Sequence, residues 1–154
     1  MNAATTQKTT FSRTTTVQID IKASKTIIWN LLTDAADMAR WNSTIISIQG
    51  RIQLGEKIAL KSTLDESRTF KLKVQALQAE KSMVWGSGMA PFFKGVRTYQ
   101  LNDTANGAVQ FTMTEQLSGL TFPMAAKHIP SFDNTFDTFA ADLKKEAELQ
   151  QQNA

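Results

Sequence analysis

The feature that most constrains the fold is a change in the spacing of apolar residues near Pro123. From Lys57 to Leu117 apolar and polar residues alternate, which is typical of strands that bury one face. After Pro123 the apolar residues recur at spacings of three and four, as on one face of a helix. These residues are Phe132, Phe136, Phe139, Ala140, Leu143 and Ala147. The sequence therefore predicts antiparallel strands followed by a long amphipathic helix that includes Phe132 to Lys145.

One strand register keeps the apolar side chains of the central strands on a single face. Pairing Leu64 with Arg68, and Val74 with Trp85, preserves that face through two turns. The next two predicted strands continue the same alternation. The predicted concave face carries Phe70, Leu72, Trp85, Tyr99, Phe111 and Met113.

Two further strands and two short helices precede these central strands. Alternating residues 17–21 and 45–50 each predict a strand. Between them Ile28, Trp29 and Leu32 share one apolar face of a short helix. The predicted class is therefore α+β, with a seven-stranded curved antiparallel sheet around a C-terminal helix and two short helices after strand 1.

Length and composition limit the domain organisation. A chain of 154 residues has the size of one domain, so we expect disordered tails at residues 1–12 and 150–154 and a single domain at residues 13–149. The absence of cysteine excludes disulfides, thiolate metal sites and thiol nucleophiles. Met1 to Thr16 is polar, so we expect a cytoplasmic protein without a signal peptide or transmembrane segment.

The positive charge does not indicate a nucleic-acid-binding surface. The formal net charge is only +3. Lys57, Lys61, Lys71 and Lys73 alternate with apolar residues, which predicts the solvated face of a sheet. No motif of a nucleic-acid-binding module accompanies them. We therefore expect no nucleic-acid partner.

The segment from Ala23 to Asn42 resembles the opening of a known superfamily. Its matching residues are Ile28, Trp29, Leu32, Asp34, Trp41 and Asn42. The segment is similar to the start of the START-like superfamily, also called SRPBCC, and especially to its polyketide cyclase/dehydrase and lipid-transport branch. Lys25 and Ser43 stand where that family often has proline. With later motifs, the resemblance extends from about Val17 to Glu148.

The resemblance implies a helix-grip fold, in which a curved sheet wraps the terminal helix and a hydrophobic cavity remains between them. Aromatic and thioether side chains lining such a cavity suit an apolar or aromatic small molecule. The alternative is that these side chains simply form the core. The candidate ligand-binding residues are Trp41, Phe70, Leu72, Trp85, Arg97, Tyr99, Phe111, Met113, Glu115, Phe132, Phe136 and Phe139.

Two charged residues, Arg97 and Glu115, fall on the same side of their predicted strands as the apolar residues. If Tyr99 lies opposite Phe111, then Arg97 lies opposite Met113 and diagonal to Glu115. An internal ion pair can then be purely structural. Alternatively, Arg97 anchors a ligand carboxylate or phenolate, and Glu115 holds its guanidinium in place.

Catalysis has little support in the sequence. His128 is the single histidine, and neither a Ser-His-Asp pattern nor a metal-ligand pattern can be built around it. We therefore predict no catalytic residues, no metal and no cofactor.

Three function classes are open. The favoured class is a protein that binds or carries a small hydrophobic molecule, lipid-like or polyketide-like. The second is a polyketide cyclase or dehydratase-like lyase, with acid/base work falling to Arg97, Glu115, Tyr99 or His128. The third is a module that binds and activates a heat-shock chaperone through its surface. A homodimer is also left open.

Overall fold

An eight-stranded antiparallel sheet is the largest element of the described chain, residues 3–154, in the computed structural model. Its strands are β1 Thr5–Lys8, β2 Ser12–Ile21, β3 Ile45–Gln49, β4 Lys57–Ser62, β5 Phe70–Gln78, β6 Ser82–Met89, β7 Phe93–Asp103 and β8 Val109–Ser118. They lie in the order β1-β2-β8-β7-β6-β5-β4-β3. The helices are α1 Lys25–Thr33, α2 Met38–Trp41, α3 Phe122–Ala125 and α4 Asp133–Gln152, with a 3-10 turn at Ala126–His128.

The predicted α+β class is confirmed, with a curved antiparallel sheet and a long C-terminal helix. The predicted number of seven strands is wrong, because residues 5–8 form an additional edge strand. The N-terminal tail prediction is therefore wrong for Thr5–Lys8, while Met1 and Asn2 lie outside the described residues. At the other end α4 continues to Gln152, so the predicted C-terminal tail is helical over its first three residues.

Helix α4 packs its apolar face against the sheet and α1. Phe136, Phe139, Ala140, Leu143 and Ala147 are all buried, as their spacing predicts. At the start of this helix the buried Arg13 of β2 donates hydrogen bonds to the carbonyls of Ile129 (3.2 Å) and Pro130 (2.8 Å). Its guanidinium also lies 4.9 Å from the centre of the Phe132 ring. Arg13 thereby fixes the segment that enters α4.

Asn42, the residue that follows α2, has a structural role. The side chain of Asn42 donates from Nδ2 to the carbonyl of Phe139 at 3.3 Å, and its Oδ1 accepts from both the amide and the hydroxyl of Thr44. Asn42 is fully buried, so these bonds satisfy a polar group that would otherwise be costly to bury. They connect the start of β3 to the middle of α4.

The strand registers differ in part from the sequence-based ones. Val74 pairs with Trp85 as predicted. Strand β4 pairs with β5 so that Leu60 lies opposite Phe70. The predicted register, with Leu64 opposite Arg68, would have placed Leu72 opposite Leu60, so the two registers differ by two residues. The reason is the β4–β5 connection, which spans residues 63–69 rather than the three-residue turn predicted. Because the shift is two residues, the side chains of β4 and of β5 up to Val74 stay on their predicted faces, whereas a register irregularity after Val74 places Leu77 opposite Met83.

The β7–β8 register also differs by two residues. Tyr99 pairs with Met113 and not with Phe111, since the five residues 104–108 form the connection and Asp103 pairs with Val109. The Thr104 amide donates to the carbonyl of Ala108 at 3.1 Å and closes this loop. As a result Arg97 lies directly opposite Glu115, not diagonal to it.

We predict that removal of residues 1–8 destabilises the protein. Strand β1 pairs with β2, the hydroxyl of Thr6 donates to Asp133, and the amide of Ala4 donates to Asp137 at the start of α4. Loss of these bonds should lower the free energy of unfolding, measured by urea denaturation, by about 2 kcal/mol. Removal of Asn153 and Ala154, beyond α4, is the control and should change nothing. An unchanged midpoint for the N-terminal deletion would contradict the role of β1.

Candidate functional site

A cavity of about 150 Å³ opens between the sheet and the segment that leads into α4. It lies at the end of the sheet where β6 turns into β7 and where β8 ends. Most of its wall is apolar, contributed by β4, β5, β7 and β8. The lining residues are Leu60, Ser62, Leu64, Arg68, Phe70, Leu72, Ser87, Phe93, Arg97, Glu115, Leu117, Ile129 and Phe132.

A second, much smaller cavity of about 10 Å³ adjoins the first under α4. The two cavities share Ser62, Leu64, Arg97 and Phe132 as lining residues. The smaller one is lined in addition by Thr44, Ile45, Met113, Thr135, Phe136 and Phe139. Its volume is close to the minimum of about 10–15 Å³ that one water molecule needs. A ligand therefore has room in the larger cavity.

The twelve sequence-predicted ligand residues divide into three groups. Five of them line the larger cavity: Phe70, Leu72, Arg97, Glu115 and Phe132. Three line the smaller cavity alone: Met113, Phe136 and Phe139. Four line neither cavity: Trp41, Trp85, Tyr99 and Phe111.

The four residues outside the cavities are buried aromatics that fill the middle of the fold. Ring centres lie 4.9 Å apart for Trp85 and Tyr99, 6.2 Å for Tyr99 and Phe139, and 6.0 Å for Trp41 and Phe139. Phe111 also stacks on Phe139 at 6.2 Å. These separations are typical of packed aromatic pairs. The expected space between sheet and helix is therefore solid here, and the cavity is confined to one end.

An ion pair lies on the wall of the larger cavity. Arg97 Nε donates to Glu115 Oε1 at 2.7 Å, and the two side chains are only 15% and 12% exposed. The guanidinium also lies 5.1 Å from the centre of the Phe136 ring. Burial alone would lower the pKa of Arg97, but the facing carboxylate of Glu115 raises it above its usual value. Arg97 therefore stays charged.

The guanidinium of Arg97 is only partly used by this pair. Within residues 3–154 its Nη1 and Nη2 atoms donate no hydrogen bond, and Nε makes the single bond to Glu115. Arginine carries five N–H donors in a planar fork that fits a carboxylate. Because Arg97 lines the cavity, these free donors are available to a molecule inside it.

Glycine at position 95 lets the Glu115 carboxylate pack closely against the backbone of β7. A side-chain Cβ at Gly95 would lie 3.1 Å from Glu115 Oε2, 3.1 Å from Leu117 Cδ2 and 3.5 Å from the hydroxyl of Ser87. Glu115, Leu117 and Ser87 all line the larger cavity. The cavity therefore has an acidic and a hydroxyl group next to the arginine.

Tyr99 is unsuited to act as a base. It is almost fully buried, and its hydroxyl makes no hydrogen bond within the described chain, although Arg97 lies beside it. Burial raises the pKa of Tyr99 to about 12, with the charge of Arg97 partly offsetting this effect. The phenol is thus neutral at physiological pH.

His128 lies outside this site. His128 is exposed on the 3-10 turn and does not line the cavity, although its neighbour Ile129 does. In the part of the chain that the structure describes, no group of three or more His, Cys, Asp or Glu side chains could hold a metal ion.

No helix among residues 3–154 is long and apolar enough to cross a membrane.

The sequence-based selection missed several lining residues. The alternation already placed Leu60, Ser62, Leu64, Ser87 and Leu117 on the inner face, but the selected positions were mainly aromatic and charged ones, with Leu72 and Met113 as the exceptions. Arg68 and Ile129 lie in connections, where alternation carries no information. Arg68 stacks its guanidinium 5.1 Å from the centre of the Phe70 ring at the cavity wall.

Comparison with known proteins gives a family match over most of the chain. The model of the family described as polyketide cyclase / dehydrase and lipid transport matches residues 12–148. No curated protein matches the sequence.

Solved structures similar to this chain share its fold at low sequence identity. A START superfamily protein from Mycobacterium smegmatis is 12% identical with a TM-score of 0.65, over 89% of this chain and 98% of that one. A conserved protein of unknown function from Enterococcus faecalis is 16% identical with a TM-score of 0.66, over 96% and 78%. The di-domain ARO/CYC BexL from the BE-7585A biosynthetic pathway is 9% identical with a TM-score of 0.67, over 92% of this chain and 52% of that protein.

We predict that two phenylalanines respond differently to truncation. Phe139→Ala removes the ring at the centre of the aromatic core and should cost about 4 kcal/mol of unfolding free energy. Phe70→Ala removes a half-buried ring from the cavity wall, where fewer contacts are lost, and should cost about 1 kcal/mol. Urea denaturation of both variants gives the comparison. Equal losses would mean that Phe70 faces packed core.

Proposed function

The chain belongs to the polyketide cyclase/dehydrase and lipid transport family, and from this premise we propose that it binds a small aromatic or hydrophobic molecule in the 150 Å³ cavity. One observation carries the proposal: an apolar cavity is lined by an arginine whose Nη atoms donate no hydrogen bond to any of residues 3–154. Small-molecule sites characteristically combine apolar walls with a few convergent polar groups. The polar groups here are Arg97, Glu115, Ser87 and Arg68.

The volume of the cavity favours a ligand with one aromatic ring. Ligand pockets for drug-sized molecules have volumes of roughly 300–1,000 Å³, which is well above 150 Å³. An engineered apolar cavity of about this size in another protein holds benzene. A fused-ring polyketide or a whole lipid chain would need additional space. A single ring between Phe70, Leu72 and Phe132 fits the cavity.

The charges favour a ligand with an acidic group. Arg97 can form charge-assisted hydrogen bonds with a carboxylate or phenolate through its free Nη atoms. Glu115 holds Nε and fixes the orientation of the guanidinium. Arg68 adds a second positive charge at the wall. An aromatic acid such as benzoate therefore matches both the apolar and the polar parts of the cavity.

A cyclase or dehydratase-like lyase is the second candidate, and the position of Glu115 favours it. Its Oε2 makes no hydrogen bond within residues 3–154 and lies close to Gly95 at the cavity wall, where it could accept a proton from a bound substrate. The small cavity volume argues for binding without chemistry. Incubation of the protein with aromatic β-keto substrates distinguishes the two candidates. Turnover by the wild type that is lost in Glu115→Gln would favour the lyase, and no turnover by the wild type would favour the binding protein.

A chaperone-binding module would act through the surface and would not use this cavity. A cytoplasmic location and a homodimer stay predictions from the sequence.

We predict that Arg97 discriminates acidic from neutral ligands. Because Arg97→Met alone would leave a buried carboxylate unpaired, the comparison is made between Glu115→Gln and the double variant Glu115→Gln with Arg97→Met. Calorimetric titration should show benzoate weakened about tenfold by loss of Arg97, equivalent to about 1.4 kcal/mol. Benzyl alcohol, which has the same shape without the charge, should change by less than about twofold.

Two controls accompany this titration. Arg51→Met removes an exposed arginine at the other end of the sheet and should leave both affinities unchanged. Thermal denaturation first establishes that each variant is folded. Equal weakening of both ligands would make Arg97 a structural residue. The binding function itself would be contradicted if neither ligand bound and native mass spectrometry of the purified protein found no retained hydrophobic molecule.

A further inference from the structure

Among residues 3–154, five of the eight large exposed hydrophobic residues lie together at one end of the sheet. They come from the β1–β2 turn, from the end of β6 and the β6–β7 turn, and from the β8–α3 connection and α3 itself. These residues, here called the apolar patch, are Phe11, Met89, Phe92, Leu120 and Met124, with exposed fractions of 50%, 69%, 56%, 60% and 74%. Neither the fold nor the ligand cavity accounts for their exposure.

Backbone hydrogen bonds join the three segments of the apolar patch. The amide of Gly119 donates to the carbonyl of Phe11 at 3.0 Å, and the amide of Leu120 donates to Pro91 at 2.9 Å. The amide and hydroxyl of Thr121 both donate to the carbonyl of Phe92 at 3.0 Å. The close approach depends on Gly119, where a Cβ would lie 2.1 Å from the same Phe92 oxygen. The patch is thus a structured platform whose side chains face outward.

Within the three segments that carry the apolar patch the charged residues have one sign, while Asp65 and Glu66 lie on the β4–β5 connection at the same end of the sheet and Asp133 directly follows the third segment. Residues 4–13, 86–97 and 116–132, which carry the patch, contain no Asp or Glu. They include three exposed lysines, Lys8, Lys94 and Lys127. Exposed aromatic and aliphatic side chains with lysines beside them complement a bilayer that has an apolar interior and anionic head groups.

The apolar patch also borders the ligand cavity. Phe93 follows Phe92 directly and lines the cavity, as do Leu117 just before the β8–α3 connection and Ile129 just after the 3-10 turn. An apolar molecule leaving a membrane at the patch would therefore reach the cavity over a short distance.

We propose that the apolar patch docks this protein onto the surface of an anionic lipid bilayer. Phe92, Leu120 and Met124 insert among the acyl chains near the head groups, while the lysines contact anionic head groups. A second copy of the chain fits the patch less well, because a two-fold interface pairs the same surface with itself and brings the lysines together. This inference goes beyond ligand binding and does not depend on the identity of the ligand.

Vesicle flotation tests the proposal on the full chain. We expect binding to vesicles of phosphatidylcholine and phosphatidylglycerol in equal parts, and at least fivefold weaker binding to phosphatidylcholine alone. Raising the salt concentration should weaken binding to the anionic vesicles, because charges between protein and head groups are screened.

Two sets of variants separate the apolar and charged contributions. The double variant Phe92→Ser with Met124→Ser should reduce bound protein at least tenfold, and Lys94→Gln with Lys127→Gln should reduce the difference between the two vesicle types. Leu54→Ser is the matched control, because Leu54 is 64% exposed at the opposite end of the sheet. It should bind vesicles like the wild type.

Three outcomes would overturn the proposal. The first is absence of binding to anionic vesicles by a wild-type protein whose thermal denaturation shows it to be folded. The second is an equal loss of binding in the Leu54→Ser control. The third is a wild-type dimer, detected by sedimentation without vesicles, that Phe92→Ser with Met124→Ser converts to a monomer, since the patch would then be an interface between copies.

Discussion

The ion pair between Arg97 and Glu115 is the interaction on which the interior of this structure depends. Both residues occupy inward positions of neighbouring strands, so the concave face must accommodate two charges. Burying either one alone would be costly, and the 2.7 Å contact between them offsets that cost. The ring of Phe136 on α4 covers the guanidinium. The pair therefore marks the boundary between the solid aromatic core and the cavity.

The position of the cavity follows from side-chain size along the sheet. Toward the middle of the sheet, Trp85, Tyr99 and Phe111 meet Phe139 of α4 and fill the available space. Toward the β6–β7 turn the inward positions are occupied by smaller groups, including Ser87 and Gly95, and α4 has not yet begun. Less side-chain volume there leaves a cavity open. The apolar patch lies at the same end, so the proposed lipid-docking surface borders the proposed ligand site.

Much of the fold could be predicted from the sequence, because alternation and helical spacing report which face each residue occupies. The pairing of Val74 with Trp85 and the burial of Phe136 both follow from these patterns. The two-residue register shifts could not be predicted, since connection lengths depend on loop hydrogen bonds such as that of Thr104. Strand β1 was missed because its four residues, Thr5–Lys8, are polar and mostly exposed. Its partners on α4 are more than one hundred residues away in sequence.

The candidate site was predictable only in part. Arg97 and Glu115 stood out as charges on an apolar face, whereas the cavity volume depends on how completely the aromatic rings pack. The most direct test of the account is an NMR titration with benzoate that locates its binding site through backbone amide shifts. The account predicts that Ser87, Gly95 and Ile129 at the cavity shift together, while Lys25 and Asp103 at the opposite end do not. Shifts confined to the opposite end, or spread evenly over exposed lysines, would contradict it.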